Sequence, residues 1–191
     1  MPNERKSQII KAAAKRFARH GLAKTTLDEV ARDIRIGKAT IYHYFISKDE
    51  LYFATLKWEC ENFIETVKSV FAAENEQLIS KLNNYISLKE SISETNKLIH
   101  ESLLNFLNDK SFDQEKEIIT WLLTKETELI KQFLKNHYSQ RIKKVSPVFP
   151  TFLVLNSWGM FFSTNLGSLI EKDRSAEIKK IFIESLEVLL N

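Results

Sequence analysis

The segment Arg35-Ile36-Gly37-Lys38-Ala39-Thr40-Ile41-Tyr42-His43-Tyr44-Phe45-Ile46-Ser47-Lys48 gathers the densest set of chemically capable side chains in this 191-residue chain. Ammonium, hydroxyl and imidazole groups at Lys38, Thr40, Tyr42, His43, Tyr44 and Lys48 alternate with inward-pointing Ile41 and Phe45. Donors of this kind on one face suit hydrogen bonds to phosphate oxygens and to the edges of bases. They do not suit bond-making. His43 has no second His, Cys or carboxylate placed to join it on a metal, so no metal site and no cofactor are expected. The chain also lacks a Gly-rich phosphate loop, a Gly-x-Ser-x-Gly elbow, a His-Glu-x-x-His pair and a cysteine cluster. The adjacent acids Asp49 and Glu50 are accounted for by helix capping, and an enzyme is not expected.

Charge supports the same partner. Residues 1–48 carry 11 Lys and Arg against 4 Asp and Glu, which leaves 17 against 21 in the remainder of the chain's 28 and 25. A head of +7 on a body of −4 attracts a phosphate backbone through neutralisation and counterion release.

Helices must position these groups, because 4 Gly and 3 Pro in 191 residues leave little punctuation for short strands. In residues 5–19, Ile9, Ile10, Ala13 and Phe17 share one face at helical spacing, and His20-Gly21 ends the run. Thr26-Leu27-Asp28-Glu29 reads as a capping box opening a second helix of about two turns, with Val30, Ala31 and Ile34 inward. Arg35-Ile36-Gly37 interrupts it, and Lys38 to Phe45 resumes helix. Two short helices joined so tightly are the helix-turn-helix signature. Its second helix enters the major groove, with Lys38, Ala39, Thr40, His43 and Tyr44 at its start or on its outward side. Ser47-Lys48-Asp49-Glu50 reads as a second capping box, opening a longer helix with Leu51, Leu56, Phe63, Val67 and Val70 inward. Further starts are expected near Ser91, Ser111, Ser146-Pro147 and Asp173, with a break around 74–77, for about nine helices in all.

At this point the sequence resembles the TetR/AcrR family of bacterial regulators, over roughly residues 5 to 56. The resemblance is carried by Ile9-Ile10, Ala12-Ala13, Phe17, Gly21, Thr25-Thr26, Val30-Ala31, the string from Ile36 to Phe45, Ser47-Lys48 and Leu51. By position it implies a phosphate contact for Thr26, backbone contacts for Tyr42 and Tyr44, and the family's phosphate-binding lysine for Lys48. Lys38, Ala39, Thr40 and His43 fall where side chains face bases. Tyr42 as a packing aromatic and Thr26 as a helix cap are the structural alternatives. Two departures stand out: Arg35 replaces the family's usual turn glycine, and Gly37 replaces a serine cap. Arg35 is thereby placed to reach a phosphate.

The resemblance implies an all-α protein: a three-helix DNA-binding head at 1–48 and a larger helical effector-binding and dimerisation domain at 49–191. It further implies a homodimer on a palindromic double-stranded DNA operator, with a small-molecule effector. Residues Val148 to Phe162 form a helix apolar almost all round, and Ile178 to Leu190 give the last helix an apolar face. Paired with their symmetry mates, the two would build a four-helix interface from Phe149, Phe152, Leu155, Gly159, Phe162, Ile178, Phe182, Leu186 and Leu189. An effector pocket is expected among Phe63, Phe106, Trp121, Leu122, Phe133, Asn156 and Thr164, with His100 or Asn105 as polar anchor. Such a pocket would take something mostly apolar or aromatic.

Residues 145–170 carry no charge and are long enough to span a bilayer, but Pro147, Pro150, Asn156, Ser157 and Asn165 would meet lipid. A helix buried by protein is the reading adopted. With Cys60 alone and a charged N-terminus without a long apolar stretch, a cytoplasmic protein is expected.

Overall fold

The computed structural model describes residues 2–74, 76–137, 146–170 and 175–190, and only the backbone of residues 2–3, 161–170, 175 and 190. The described residues form ten helices and no strand: α1 (Pro2–His20), α2 (Leu27–Asp33), α3 (Lys38–Tyr44), α4 (Lys48–Ala72), α5 (Leu78–Glu90), α6 (Ile92–Thr95), α7 (Lys97–Leu107), α8 (Asp113–His137), α9 (Phe149–Ile170) and α10 (Ser175–Leu190). The all-α expectation holds. The tenth helix arises where one helix was expected from Ser91 onward. Ser91 instead ends α5, and the chain breaks again at Asn96 before α7. Contacts gather into two units, Met1–Phe63 with Asn96–Thr120 and Ile64–Thr95 with Trp121–Asn191.

In the first unit, α1 buries Ile9, Ala13 and Phe17 together with Val30 and Ala31 of α2 and Ile41 of α3, all nearly inaccessible. Burying each of the Ile, Val and Phe side chains among them is worth about 1.5–3 kcal/mol, which outweighs any surface pairing in the head. Gly21 ends α1 at φ +73°, its amide on the Phe17 carbonyl at 2.8 Å. That left-handed conformation is free for glycine and costly for other residues.

An arginine clasp fixes α2 against α1. Arg16 donates through Nε and Nη2 to the two Asp33 oxygens at 2.8 and 3.1 Å, and its Nη1 lies 3.2 Å from Glu29 Oε1. The hydrogen bonds from Arg16 hold the Asp33 carboxyl below its ordinary value of 3.8, and those from Thr26 hold Glu29 below 4.5. Because both folded values are depressed, the stability they confer is complete above those ordinary values. It is lost as pH falls through the depressed ones. A urea midpoint followed from pH 7 to pH 3 should therefore fall for the parent, and Arg16→Met should flatten the part due to Asp33.

The turn between α2 and α3 settles what the two departures do. Arg35 adopts φ +55°, so this chain keeps the left-handed turn and places a side chain where glycine is preferred. Such a conformation costs a non-glycine residue roughly 1–2 kcal/mol. Gly37 caps α3 in extended conformation with no side-chain bond, its carbonyl accepting from the Thr40 amide at 2.9 Å. Arg35→Gly relieves the strain but adds freedom to the unfolded chain, for a net gain of about 0.5–1 kcal/mol. Thermal unfolding should register a rise in Tm of roughly 2 °C.

The other starts differ in detail from expectation. The Ser47 hydroxyl accepts from the Glu50 amide at 3.0 Å, but Glu50 reaches back to the Ile46 amide rather than closing on Ser47. At α8 the cap is Glu115, which takes the Phe112 amide at 3.0 Å, while the buried Ser111 hydroxyl lacks a hydrogen-bond partner. The start expected at Asp173 lies outside the described residues. Glu59 is buried and accepts from the Leu98 and Ile99 amides at 3.0 and 3.1 Å, so a side chain 39 residues upstream caps α7. Tyr52, edge-on to Phe17 at 5.4 Å, donates to Glu115 at 2.8 Å beside Ser102.

In the second unit α5 packs against α9 and α10. Its core is Leu82, Tyr85 and Ile86 with Leu122, Ile130, Leu153, Val154 and Trp158. Among the described residues no helix is long and apolar enough to cross a membrane.

Candidate nucleic-acid interface

The capping box at Thr26 forms in full: the Glu29 amide donates to Thr26 Oγ1 at 3.3 Å, and Glu29 Oε2 takes the Thr26 amide at 2.9 Å. The threonine hydroxyl also donates to that carboxylate at 2.9 Å. Thr26 is exposed all the same, so its cap role and a phosphate contact are compatible.

On α3, Ile41 and the following Phe45 are buried, whereas Lys38, Ala39, Tyr42 and His43 are exposed and Thr40 and Tyr44 half-buried. One helix thus seals the head with two side chains and turns the others outward. Tyr42 is 41% exposed and lies beneath the Lys38 ammonium, which sits 5.5 Å from the ring centroid. The structure leaves this ring on the surface, not packed between helices. His43 and Tyr44 meet edge to face at 5.4 Å. Arg35 is exposed, and Lys48 is half-buried at the start of α4.

Sequence reasoning missed Asp28. Its Oδ2 holds Lys38 Nζ at 2.9 Å and raises the lysine's pKa through that bond. Lys38 must exchange this carboxylate for any base or phosphate it meets. The capping box is the signal that places residue 28 on the first turn of α2, but the partner ten residues on is a tertiary matter. Asp28→Asn should tighten binding to duplex DNA a few-fold at low salt, measured by fluorescence anisotropy, with the gain vanishing at high salt.

The residues expected to face a symmetry mate divide. Phe152, Leu155, Ile178 and Leu189 are 42, 55, 36 and 48% exposed, joined by Val148, Ile181 and Val188. Gly159 is exposed on the same face, with open space where a Cβ would stand, and Phe182 is half-buried. Phe149 and Leu186 are buried within the unit, 4 and 1% exposed, so they fill its own core and cannot serve an outer face. The Phe162 side chain lies outside the described residues.

The residues expected to line a pocket fall in both units. Phe63, His100, Asn105 and Phe106 belong to the first unit, and Trp121, Leu122, Phe133 and Asn156 to the second. Phe63 and Leu122 are buried in packed core, Phe106 is 50% exposed, and Asn156 bonds back to the Phe152 carbonyl at 2.8 Å on the outer face of α9. His100 and Asn105 are half-buried, as is Trp121, and burial lowers the His100 pKa. The Thr164 side chain lies outside the described residues. Only Phe133 borders a sizeable groove, of about 560 Å³, whose floor also holds Ile64, Phe71 and Leu129.

Three short-linked helices, the third (α3) carrying an outward cationic and hydroxyl-bearing face, define the class of this head: a helix-turn-helix domain. Residues 9–55 match the family model of bacterial regulatory proteins, tetR family. The likeness to that family is one of these head residues. The chain is 44% identical over 54 residues to the HTH-type transcriptional regulator HbdR of Aromatoleum sp. strain CIB, a stretch covering 28% of this chain and 24% of that one. It is 39% identical over 56 residues to the HTH-type transcriptional repressor SCO4008 of Streptomyces coelicolor, 29% of each chain. The matched stretches thus span about a quarter of these relatives' length. Over the whole chain the fold is shared: a transcriptional regulator of the TetR/AcrR family from Thermobifida fusca superposes with a TM-score of 0.63 at 20% identity, over 98% of this chain and 97% of that one.

Proposed function

We propose that the chain acts as a homodimeric repressor that grips a palindromic double-stranded DNA operator and is released from it by a small-molecule effector. The observation that carries the reading is the split of α3, with Ile41 sealed in the core while Lys38, Ala39, Tyr42 and His43 face solvent. Lys38, Ala39, Thr40 and His43 face base edges, and Thr26, Arg35, Tyr42, Tyr44 and Lys48 hold phosphates. Dimerisation uses the outward apolar face of α9 and α10, with Phe152, Leu155 and Ile178 at its centre. An exposed apolar face of this kind favours association with a like surface. The named repressor SCO4008 supports the direction of regulation. Effector binding in the helical body shifts the population between two spacings of the heads.

The test is binding to duplex DNA from around the chain's own gene, measured across salt concentrations. Steeply salt-dependent binding that a body-binding ligand weakens is the expected result; no such binding in any ligand state overturns the reading. Sedimentation checks the interface separately. Leu155→Glu should convert dimer to monomer at micromolar concentration without changing helical content.

A further inference from the structure

The outer face of α1 carries charge that the packing of the head does not use. Lys11, Lys15 and Arg19 are exposed and stand four residues apart, so they form one ridge with about 6 Å of axial rise between neighbours. None of the three has an ion-pair partner among the described residues. The acids beside them are already engaged, since Arg16 holds both Asp33 and Glu29. Like charges at this spacing repel one another along a helix, so the ridge works against α1 and serves no contact within the head. It borders a groove of about 640 Å³ that α1 shares with Asp33 and Ile34 at the C-terminal end of α2. The apolar lining is confined to Ala12 and Ile34, and the remainder is Gln8 and charged side chains.

We propose that this groove is a second DNA site of the head, in which Lys11, Lys15 and Arg19 grip successive phosphates of duplex lying beyond the operator. The inference rests on the DNA-binding reading above and adds residues outside the recognition surface. The lining selects the partner. An acidic protein segment is held by apolar and aromatic anchors at the centre of its interface, with charge at the rim, and this groove has only Ala12 and Ile34 to offer. A phosphate backbone needs the reverse, cations at regular spacing without apolar contact. The axial step of the ridge is close to the separation of successive phosphates on one strand. Position separates this site from the operator face. Thr26, proposed above to meet an operator phosphate, caps the start of α2, and the groove opens at the other end, about 10 Å along that helix. Contacts of this kind carry no base information, so they add affinity without changing sequence preference.

Lys11→Gln, Lys15→Gln and Arg19→Gln together remove the ridge at exposed positions and keep a good helix former at each. Fluorescence anisotropy compares two duplexes at low salt: the operator from the assay above, and the same operator extended on each side by about two helical turns of unrelated sequence. The parent should hold the extended duplex about tenfold or more tighter than the bare operator, and the triple variant should hold the two equally. On the extended duplex the slope of log affinity against log salt should fall by about three for each head, with no change on the bare operator. The charge-preserving exchange Lys11→Arg, Lys15→Arg and Arg19→Lys should retain the gain. A gain with length that survives the three glutamines, or a parent that shows none, overturns the second site and leaves the operator reading standing. Binding of a short oligoglutamate that the triple variant loses, without any gain from flanking DNA, makes the groove a protein site and overturns the proposal as well. A parent that binds neither duplex overturns both readings.

Discussion

Tyr42→Ala combined with Lys48→Ala is expected to abolish operator binding while leaving the dimer intact. Neither residue holds the head together. Tyr42 is 41% exposed and Lys48 half-buried at a helix start, whereas the apolar seal is made by Ile41, Phe45 and Leu51. A charge-assisted hydrogen bond contributes about 1.5–3 kcal/mol, and a dimer makes each contact twice. Losing both Lys48 contacts alone therefore weakens binding on the order of 10²-fold or more, and Tyr42 adds to that. The salt dependence gives a second signature, since the slope of log affinity against log salt falls by about one for each phosphate contact removed. Circular dichroism and sedimentation should match the parent. Affinity retained within a few-fold would mean that the DNA face lies elsewhere.

Glu126→Ala should be among the most destabilising single changes available. It strands the Lys89 ammonium, fully buried, against Trp158 and Tyr85 with its carboxylate gone. Removing one partner of such a pair costs about 3–5 kcal/mol, because the remaining charge is left desolvated and unpaired. For a chain of this length that lowers Tm on the order of 10 °C. Lys89→Met with Glu126→Leu removes both charges at similar volume and should recover most of the loss. If Glu126→Ala unfolds at the parent's temperature, the pair contributes nothing to stability and its retention has another cause. DNA binding at low temperature should survive in every one of these variants, since none touches the head.

Which parts of this were legible in advance follows from the range of the interactions involved. The caps at Thr26 and Gly37, the end of α1 at Gly21 and the split of α3 into sealed and exposed faces depend on residues within one or two turns, so type and spacing determined them. The family likeness is dense over the same residues for the same reason. Even the strain at Arg35 was foreshadowed, since only the sequence departs from glycine there while the turn keeps its left-handed φ of +55°. In the body, apolar periodicity identified helices but could not say against what each face packs. Phe149 and Leu186 share their helices with exposed Phe152 and Leu189, and a periodic stripe does not distinguish a chain's own core from a partner's surface.

Two buried charges were passed over in the sequence. Lys89 follows Tyr85 and Ile86 at helical spacing, and Glu126 stands four residues from both Leu122 and Ile130, so each occupies an apolar face. What no local pattern supplied is that the two meet. Separated by 37 residues, they are joined only when α5, α8 and α9 pack, and Trp158 arrives from a third helix to hold the carboxylate. Phe63 and Leu122 read as equally apolar with Phe133, but only packing decides which ring ends in a filled core and which borders a groove. The sequence by itself determined the head, its recognition helix and its charge, because those rest on short-range hydrogen bonds and periodicity. The tertiary structure alone decided where the body keeps its buried cation, because desolvation and pairing act between residues the chain brings together only on folding.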